Sequence, residues 1–233
     1  MTAFEIKVIA IVTMLIDHIG LAFFLSSPYL LFFRLIGRLS FPLFAWLIAN
    51  GAQNTKNIKR YLVRLFAFAF ISQVPYLLFH QQRDPSFWRL NIFFTLSIGL
   101  MAIALLMQTK EKFIRGFIIL VVIVVAEFLK FEYGGAGVLV ILIFYFFFNN
   151  TRMMLLMLLP LFLLTHIGPV VLEYINNGLV RADPVALMQP LAVVSLLFVS
   201  MYNQKEGAKL KYFFYLFYPL HLLVLYLIKV GFM

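Results

Sequence analysis

Hydrophobic runs of about twenty residues, separated by short polar segments, repeat along all 233 residues of the chain. A helix needs about 20 apolar residues to cross the ~30 Å hydrocarbon core of a bilayer, so each run predicts a spanning helix. The pattern predicts nine, over residues 4–25, 29–51, 59–79, 90–108, 113–131, 135–149, 153–171, 185–203 and 212–231. Between them lie turn and breaker residues: Ser26-Ser27-Pro28, Gln53–Asn57, Gln81–Pro85, Thr109–Lys112, Glu132–Gly135, Asn149–Arg152, Asn176–Pro184 and Asn203–Lys211. The alternating ten-residue segments of a transmembrane barrel are absent. The expected fold is an all-α, polytopic transmembrane helical bundle. With no linker long enough to divide it, residues 1–233 are expected to form one integral membrane domain.

Composition supports this reading. The chain is 64% hydrophobic and only 12% charged, against about 25% charged for a soluble domain. Its 28 phenylalanines suit lipid-facing and interhelical packing. The net charge of +10 sits in the short loops, where topology and lipid headgroups account for it better than nucleic acid does. Lys7, Lys56, Lys59, Arg60, Arg64, Lys110, Lys112, Arg115, Arg152, Lys205, Lys209 and Lys211 fall on one side. Arg83, Arg89, Lys130, Arg181 and Lys229 fall on the other. The positive-inside rule then puts the N-terminus in the cytoplasm and the C-terminus outside, which suits a multi-pass protein of the bacterial cytoplasmic membrane. The absence of cysteine excludes thiol catalysis, disulfides and thiolate metal sites, and four scattered histidines predict no metal centre. The first run does not resemble a cleaved signal peptide: it holds Asp17 and His18, has only Lys7 as a basic flank, and lacks a small-x-small site.

Candidate chemistry begins with Asp17 and His18, adjacent and deep in the first run. A charge at mid-membrane costs about 2.5–3.5 kcal/mol, so intramembrane ionisable groups mark functional interiors more often than structural ones. At ~1.5 Å per residue, His18 lies ~21 Å from Phe4, beyond the midplane. An imidazole there can act as a general base toward an amine or hydroxyl. Asp17, rotated about 100° from it on a helix, is expected to pair with an arginine or a cationic acceptor. The structural alternative is an interhelical salt bridge with a hydrogen-bonded histidine.

The second run contributes Arg34-x-x-Gly37-Arg38-x-Ser40-Phe41-Pro42. Two arginines one turn apart can clamp a carboxylate or phosphate; alternatively one neutralises Asp17 and the other snorkels outward. Gly37 permits close helix approach, and Pro42 can kink the helix. Gln73, Asn91, Glu127, His166 and Gln189 fall in the same outward halves of their spans, so a polar chamber opening outward is expected. Gln73, Asn91 and Thr95 are candidate lining groups, or interhelical hydrogen bonds worth ~0.6 kcal/mol each. His221, two residues after Pro219, is a candidate site group or a donor to the carbonyl of Tyr215 that the proline leaves free. His80 reads as a loop residue and His166 as a packed or exit-facing group. Tyr133-Gly134-Gly135-Ala136-Gly137 reads as a structural turn, since a phosphate-gripping loop would need a following lysine and threonine. Lys56, Lys59, Arg60 and Arg64 form a basic cluster that can hold the phosphates of a nucleotide-bearing cofactor, or simply lipid headgroups.

These motifs together resemble the TraX family, integral membrane proteins associated with conjugation, of which the best known acetylates the N-terminus of F-type pilin. The resemblance runs through Lys7–Gly20, Arg34-Leu-Ile-Gly-Arg-Leu-Ser-Phe-Pro-Leu-Phe, Asn54-Thr-Lys-Asn, Tyr61-Leu-Val-Arg-Leu and Ser72-Gln-Val-Pro-Tyr. It continues through Asn91-Ile-Phe-Phe-Thr-Leu, Tyr133-Gly-Gly-Ala-Gly-Val and Tyr218-Pro-Leu-His-Leu. Glu132 departs from the aspartate expected before the Tyr-Gly pair. The family is similar in turn to membrane-bound acyltransferases that use acyl-CoA and a histidine in the first span. The resemblance implies His18 as the catalytic base; Asp17 and Arg38 are its candidate companions by their placement, since the paired arginines of those acyltransferases need not coincide with Arg34 and Arg38. It implies acetyl-CoA as co-substrate, held by Lys56, Lys59, Arg60 and Arg64. It further implies an acceptor on a protein N-terminus or an envelope molecule, for which Arg34, Gln73, Asn91, Thr95 and His221 are candidate contacts by their placement in the spans. Two other classes stay open at this point: a small transporter or flippase working through an Asp17–arginine pair, and a non-catalytic assembly scaffold.

Overall fold

The computed structural model describes residues 1–178 and 184–231; Arg181 and the middle of the Asn176–Pro184 separator lie outside them. Among the described residues all regular structure is helical, and extended pairing is confined to an isolated bridge between Leu90 and Phe131. The helices are α1 (Ala3–Phe23), α2 (Leu30–Gly37), α3 (Ser40–Asn54), α4 (Ile58–Gln81), α5 (Ile92–Gln108), α6 (Lys112–Phe128) and α7 (Gly134–Phe146). After them come α8 (Thr151–Phe162), α9 (Gly168–Asn177), α10 (Pro184–Leu187), α11 (Ser195–Ser200) and α12 (Lys211–Gly231).

Helix occupies every predicted run, but the runs are not equivalent. Among the described residues five helical stretches are long and apolar enough to cross a membrane: Ala3–Phe23, Tyr29–Asn54, Ile58–Gln81, Thr151–Asn176 and Tyr212–Gly231. The chain is therefore a helical membrane protein, and of the nine expected crossings five are matched among the described residues by helices of spanning length. Helices α5 and α6 have 17 residues each and α7 has 13. At ~1.5 Å per residue they rise only ~20–25 Å, short of the hydrocarbon core. The run at 185–203 is divided among α10, a 3-10 segment at Gln189–Val194, and α11.

Prolines explain most interruptions. Pro42 has no N–H for the Arg38 carbonyl, so α2 and α3 meet in a tightened turn with Arg38 N–H donating to Leu35 O (3.3 Å) and Leu39 N–H to Ile36 O (3.2 Å). Pro169 likewise has no N–H for Thr165, and a wider π turn, Leu163–Ile167, falls there between α8 and α9. Helix starts are set by side-chain caps: Asn57, Asn91 and Asn150 accept from the N–H groups of Arg60, Phe93 and Met153.

The described residues gather into two compact units, one of Met1–Phe44 and Phe147–Lys209, the other of Ala45–Phe146 and Leu210–Met233. In the first unit, α1 opens with a reciprocal capping box between Thr2 and Glu5. Its next orphan donors are met by a loop far along the chain: Ala3 N–H donates to Lys205 O (2.9 Å) and Phe4 N–H to Glu206 O (3.0 Å). The buried stripe Ala3, Ile6, Ala10, Met14, His18 and Leu21 recurs every three or four residues and forms the packing face of α1. Gly20 lets Phe33 of α2 lie against the α1 backbone, where a Cβ would overlap the Phe33 side chain. The Ser40 hydroxyl donates to the Ala10 carbonyl at 3.0 Å and fixes the start of α3 against α1.

In the second unit, α5 is buried on nearly all sides, as befits a helix apolar around its whole circumference. Gly99 admits Ile141 of α7, whose Cδ1 would stand 2.5 Å from an added Cβ. Arg115 caps the C-terminal end of α5 by donating to Leu106 O (3.0 Å) and Thr109 O (3.1 Å). Phe68 of α4 stacks on Tyr215 of α12 with ring centroids 4.9 Å apart.

Candidate functional site

The first unit holds the charged cluster. Helix α1 carries Asp17 and His18, while Arg34 lies in the last turn of α2 and Arg38 just beyond it. Asp17 accepts a hydrogen bond from the Arg34 guanidinium in a salt bridge whose side chains are 15% and 17% exposed. The second arginine is not its equal. Nη2 of Arg38 is 4.0 Å from Asp17 Oδ1. Its Nε donates to the Arg34 carbonyl (3.2 Å) and its Nη1 to Oε1 of Gln189 (2.5 Å). Arg38 is thus turned into the unit, with its side chain 11% exposed, rather than snorkelling outward. Gly37 makes the cluster possible, because a Cβ there would occupy the space of the Asp17 carboxylate. His18 is buried, at 6% exposure. Gln189, which the sequence marks only as one of several polar residues in an apolar run, opens the 3-10 segment and is 2% exposed. No sequence signal ties it to Arg38, which lies 151 residues away.

The remaining candidates lie in the second unit, except His166, which belongs to the first. Asn91 donates through Nδ2 to the Ala69 carbonyl (2.7 Å) and to Gln73 Oε1 (2.8 Å). Its own N–H also reaches Gln73 Oε1 (3.1 Å), and Gln73 Nε2 donates to Arg89 O (2.8 Å). Both amide protons of Asn91 are therefore engaged within the protein. Thr95, one turn further along α5, is fully buried, and its hydroxyl has no hydrogen-bond partner among the described residues. Nδ1 of His221 pairs with the Phe217 carbonyl at 2.8 Å, and its ring stacks on Phe217. In a helix the carbonyl four residues back is the nearest acceptor, so local geometry supplies this partner. His80 is corrected, from a loop to the last turn of α4, where it bonds the Tyr76 carbonyl and stacks on Phe87 at 4.7 Å. His166 lies in the π turn, 2.8 Å from the Thr165 hydroxyl. Glu127 accepts the Gly135 N–H at 2.8 Å and belongs to the glycine turn rather than to a site.

The basic cluster divides. Lys56, Lys59 and Arg60 are exposed around the first turn of α4, where a helix N-terminus already favours anions. Arg64 is half-buried and lies 5.7 Å from the centroid of the Tyr61 ring.

A helical membrane protein carrying an ion-paired cluster and a buried histidine in its first span is the class that fold and site define. Residues 3–229 match the family of the TraX protein, and the chain belongs to that family. It is 28% identical over 235 residues, covering 96% of this chain and 94% of the relative, to the probable fimbrial assembly protein FimC, serogroup H1, of Dichelobacter nodosus. No solved structure matches it.

Proposed function

We propose that this chain is an acyltransferase of the bacterial cytoplasmic membrane that moves acetyl from acetyl-CoA to an amine or hydroxyl on a pilus subunit or another envelope molecule. The observation that carries the reading is His18, a titratable base buried in the first apolar helix beside a salt-bridged carboxylate, an expensive placement in a membrane. Family membership and the relative's name as a fimbrial assembly protein supply the pilus context.

In this mechanism His18 takes the proton of the acceptor N–H or O–H as its nitrogen or oxygen attacks the thioester carbonyl. The carbonyl π pair moves onto oxygen, and the arginines of the cluster stabilise that charge or orient the acceptor. When the oxyanion collapses the C–S bond breaks, and the leaving thiolate receives the proton from His18. The products are the acetylated acceptor and free CoA. In the second unit, Lys56, Lys59, Arg60 and Arg64 supply cationic groups of the kind that suits the phosphates of a nucleotide-bearing co-substrate.

The test uses purified wild type and His18→Asn with labelled acetyl-CoA and envelope extract as acceptor. Because the chain has no cysteine, a thiol reagent reads released CoA without background from the protein. Wild type is expected to transfer label, with His18→Asn slower by about 10²–10⁴; equal turnover removes the histidine from the mechanism. The relative's name also favours a second reading, a non-catalytic assembly factor. That reading predicts no transfer by wild type and loss of assembled fimbriae only in variants that fail to fold.

A further inference from the structure

Arg38 makes its hydrogen bonds to neutral groups and shares a single carboxylate, Asp17, with Arg34, so the cluster keeps one positive charge in excess. Its two hydrogen bonds go to a backbone carbonyl and to the amide oxygen of Gln189, and the nearest carboxylate oxygen, on Asp17, lies at 4.0 Å, beyond hydrogen-bond reach. A guanidinium has five N–H donors, so two are used among the described residues and the rest of the Nη edge is left to bond. A carboxylate at position 189 would accept the same hydrogen bond and cancel the charge. The chain instead has an amide there, itself 2% exposed, which fixes the guanidinium without neutralising it. Helix geometry adds to this, since the turn at Arg38-Leu39 turns Nε of Arg38 back onto the Arg34 carbonyl.

We infer that Arg38, docked on Gln189, is an anion-receiving site, built to take a carboxylate or phosphoryl oxyanion on its free Nη edge. Planar, bidentate recognition of such groups is the usual role of a preorganised arginine. Gln189 is the positioning residue: it aims the fork and keeps its charge available. The inference rests on the acyl-transfer reading only for the idea that the anionic group belongs to a substrate; the binding site stands without that chemistry.

The experiment measures the thermal midpoint of purified full-length protein in phosphatidylcholine nanodiscs. Inorganic phosphate and acetate are titrated against chloride at constant ionic strength, with phosphatidylglycerol nanodiscs as a third arm. A soluble ligand group predicts saturable stabilisation by phosphate or acetate in phosphatidylcholine. A lipid headgroup predicts that phosphatidylglycerol alone gives the gain and that added phosphate contributes nothing more. In either case Gln189→Glu is expected to fold and to weaken the response at least about tenfold, and Arg38→Gln is expected to abolish it. His18→Asn is expected to keep the response while losing acetyl transfer, which separates this site from the acyl-transfer reading. A purely structural Gln189 predicts that the glutamate variant behaves as wild type. The inference is overturned if wild type responds in none of the three arms, or if folded Gln189→Glu keeps its response. Should that variant not fold, a retained response in Arg38→Gln overturns it equally.

Discussion

Gly37 and Asp17 occupy one space: the α2 backbone at Gly37 lies so close to α1 that a Cβ there would overlap the Asp17 carboxylate. The salt bridge to Arg34 therefore depends on the absence of a side chain three residues further along the same helix. Gly37→Ala is expected to push Asp17 off Arg34 and leave two buried charges uncompensated, at a cost of about 3–5 kcal/mol. The check is the thermal midpoint of the purified protein. A midpoint equal to wild type would mean that α1 and α2 separate without loss.

Asp17→Asn and Arg34→Gln each break the ion pair from one side and are expected to destabilise. The double variant removes both charges and is expected to recover most of that loss, because neutral replacement of a buried pair is far cheaper than breaking it. A double-mutant cycle in stability reads the coupling. Purely additive losses would show that the two side chains do not act as a pair.

Asn91→Ala removes two amide donors and the cap of α5, so the Ala69 carbonyl loses its side-chain donor and Gln73 Oε1 keeps only the backbone N–H of residue 91. A stability loss of about 1–3 kcal/mol is expected. Transfer activity per folded molecule should be unchanged, because the amide protons of Asn91 are already engaged. Activity falling ahead of folded fraction would instead assign Asn91 to the acceptor site.

Neutralising Lys59 and Arg60 together is expected to raise the KM for acetyl-CoA by about three- to tenfold, the loss of roughly a kcal/mol of exposed charge attraction. Thermal stability should not change, because both side chains are exposed. Arg64→Gln should lower stability as well, since its half-buried guanidinium lies over the Tyr61 ring. An unchanged KM in the Lys59/Arg60 variant would leave those residues with the lipid headgroups alone.

Gly134 has φ +53, and an added Cβ would stand 2.6 Å from the Glu127 carboxylate. Gly134→Ala is expected to cost about 1–3 kcal/mol through backbone strain and displacement of Glu127. Glu127→Gln keeps an acceptor for the Gly135 N–H and is expected to be mild. Protease sensitivity of the turn between α6 and α7 distinguishes them, and equal resistance in the two variants would contradict this account.

The order and placement of the helices were legible along the chain because they are written in local terms: apolar runs, asparagine caps, prolines and glycine turns. The first two runs also announced their charges, and the need of Asp17 for an arginine follows from the cost of a lone carboxylate in hydrocarbon. Hydropathy averages over a window, however, and does not report whether a run forms one long helix or a short buried one. The run at 135–149 was already short in the sequence, whereas the lengths of α5 and α6 and the broken segment after Pro184 appeared only in three dimensions. Which arginine would meet Asp17 depended on the close approach at Gly37. The bond from Arg38 to Gln189 joins residues 151 positions apart, a distance across which no helical periodicity carries information. His221 shows the opposite case, since its partner was the carbonyl one turn back, supplied by the local helix rather than by the site. The chain alone thus determined which residues are too costly to leave unpaired; tertiary packing decided with whom they pair, because pairing depends on distances that only folding creates.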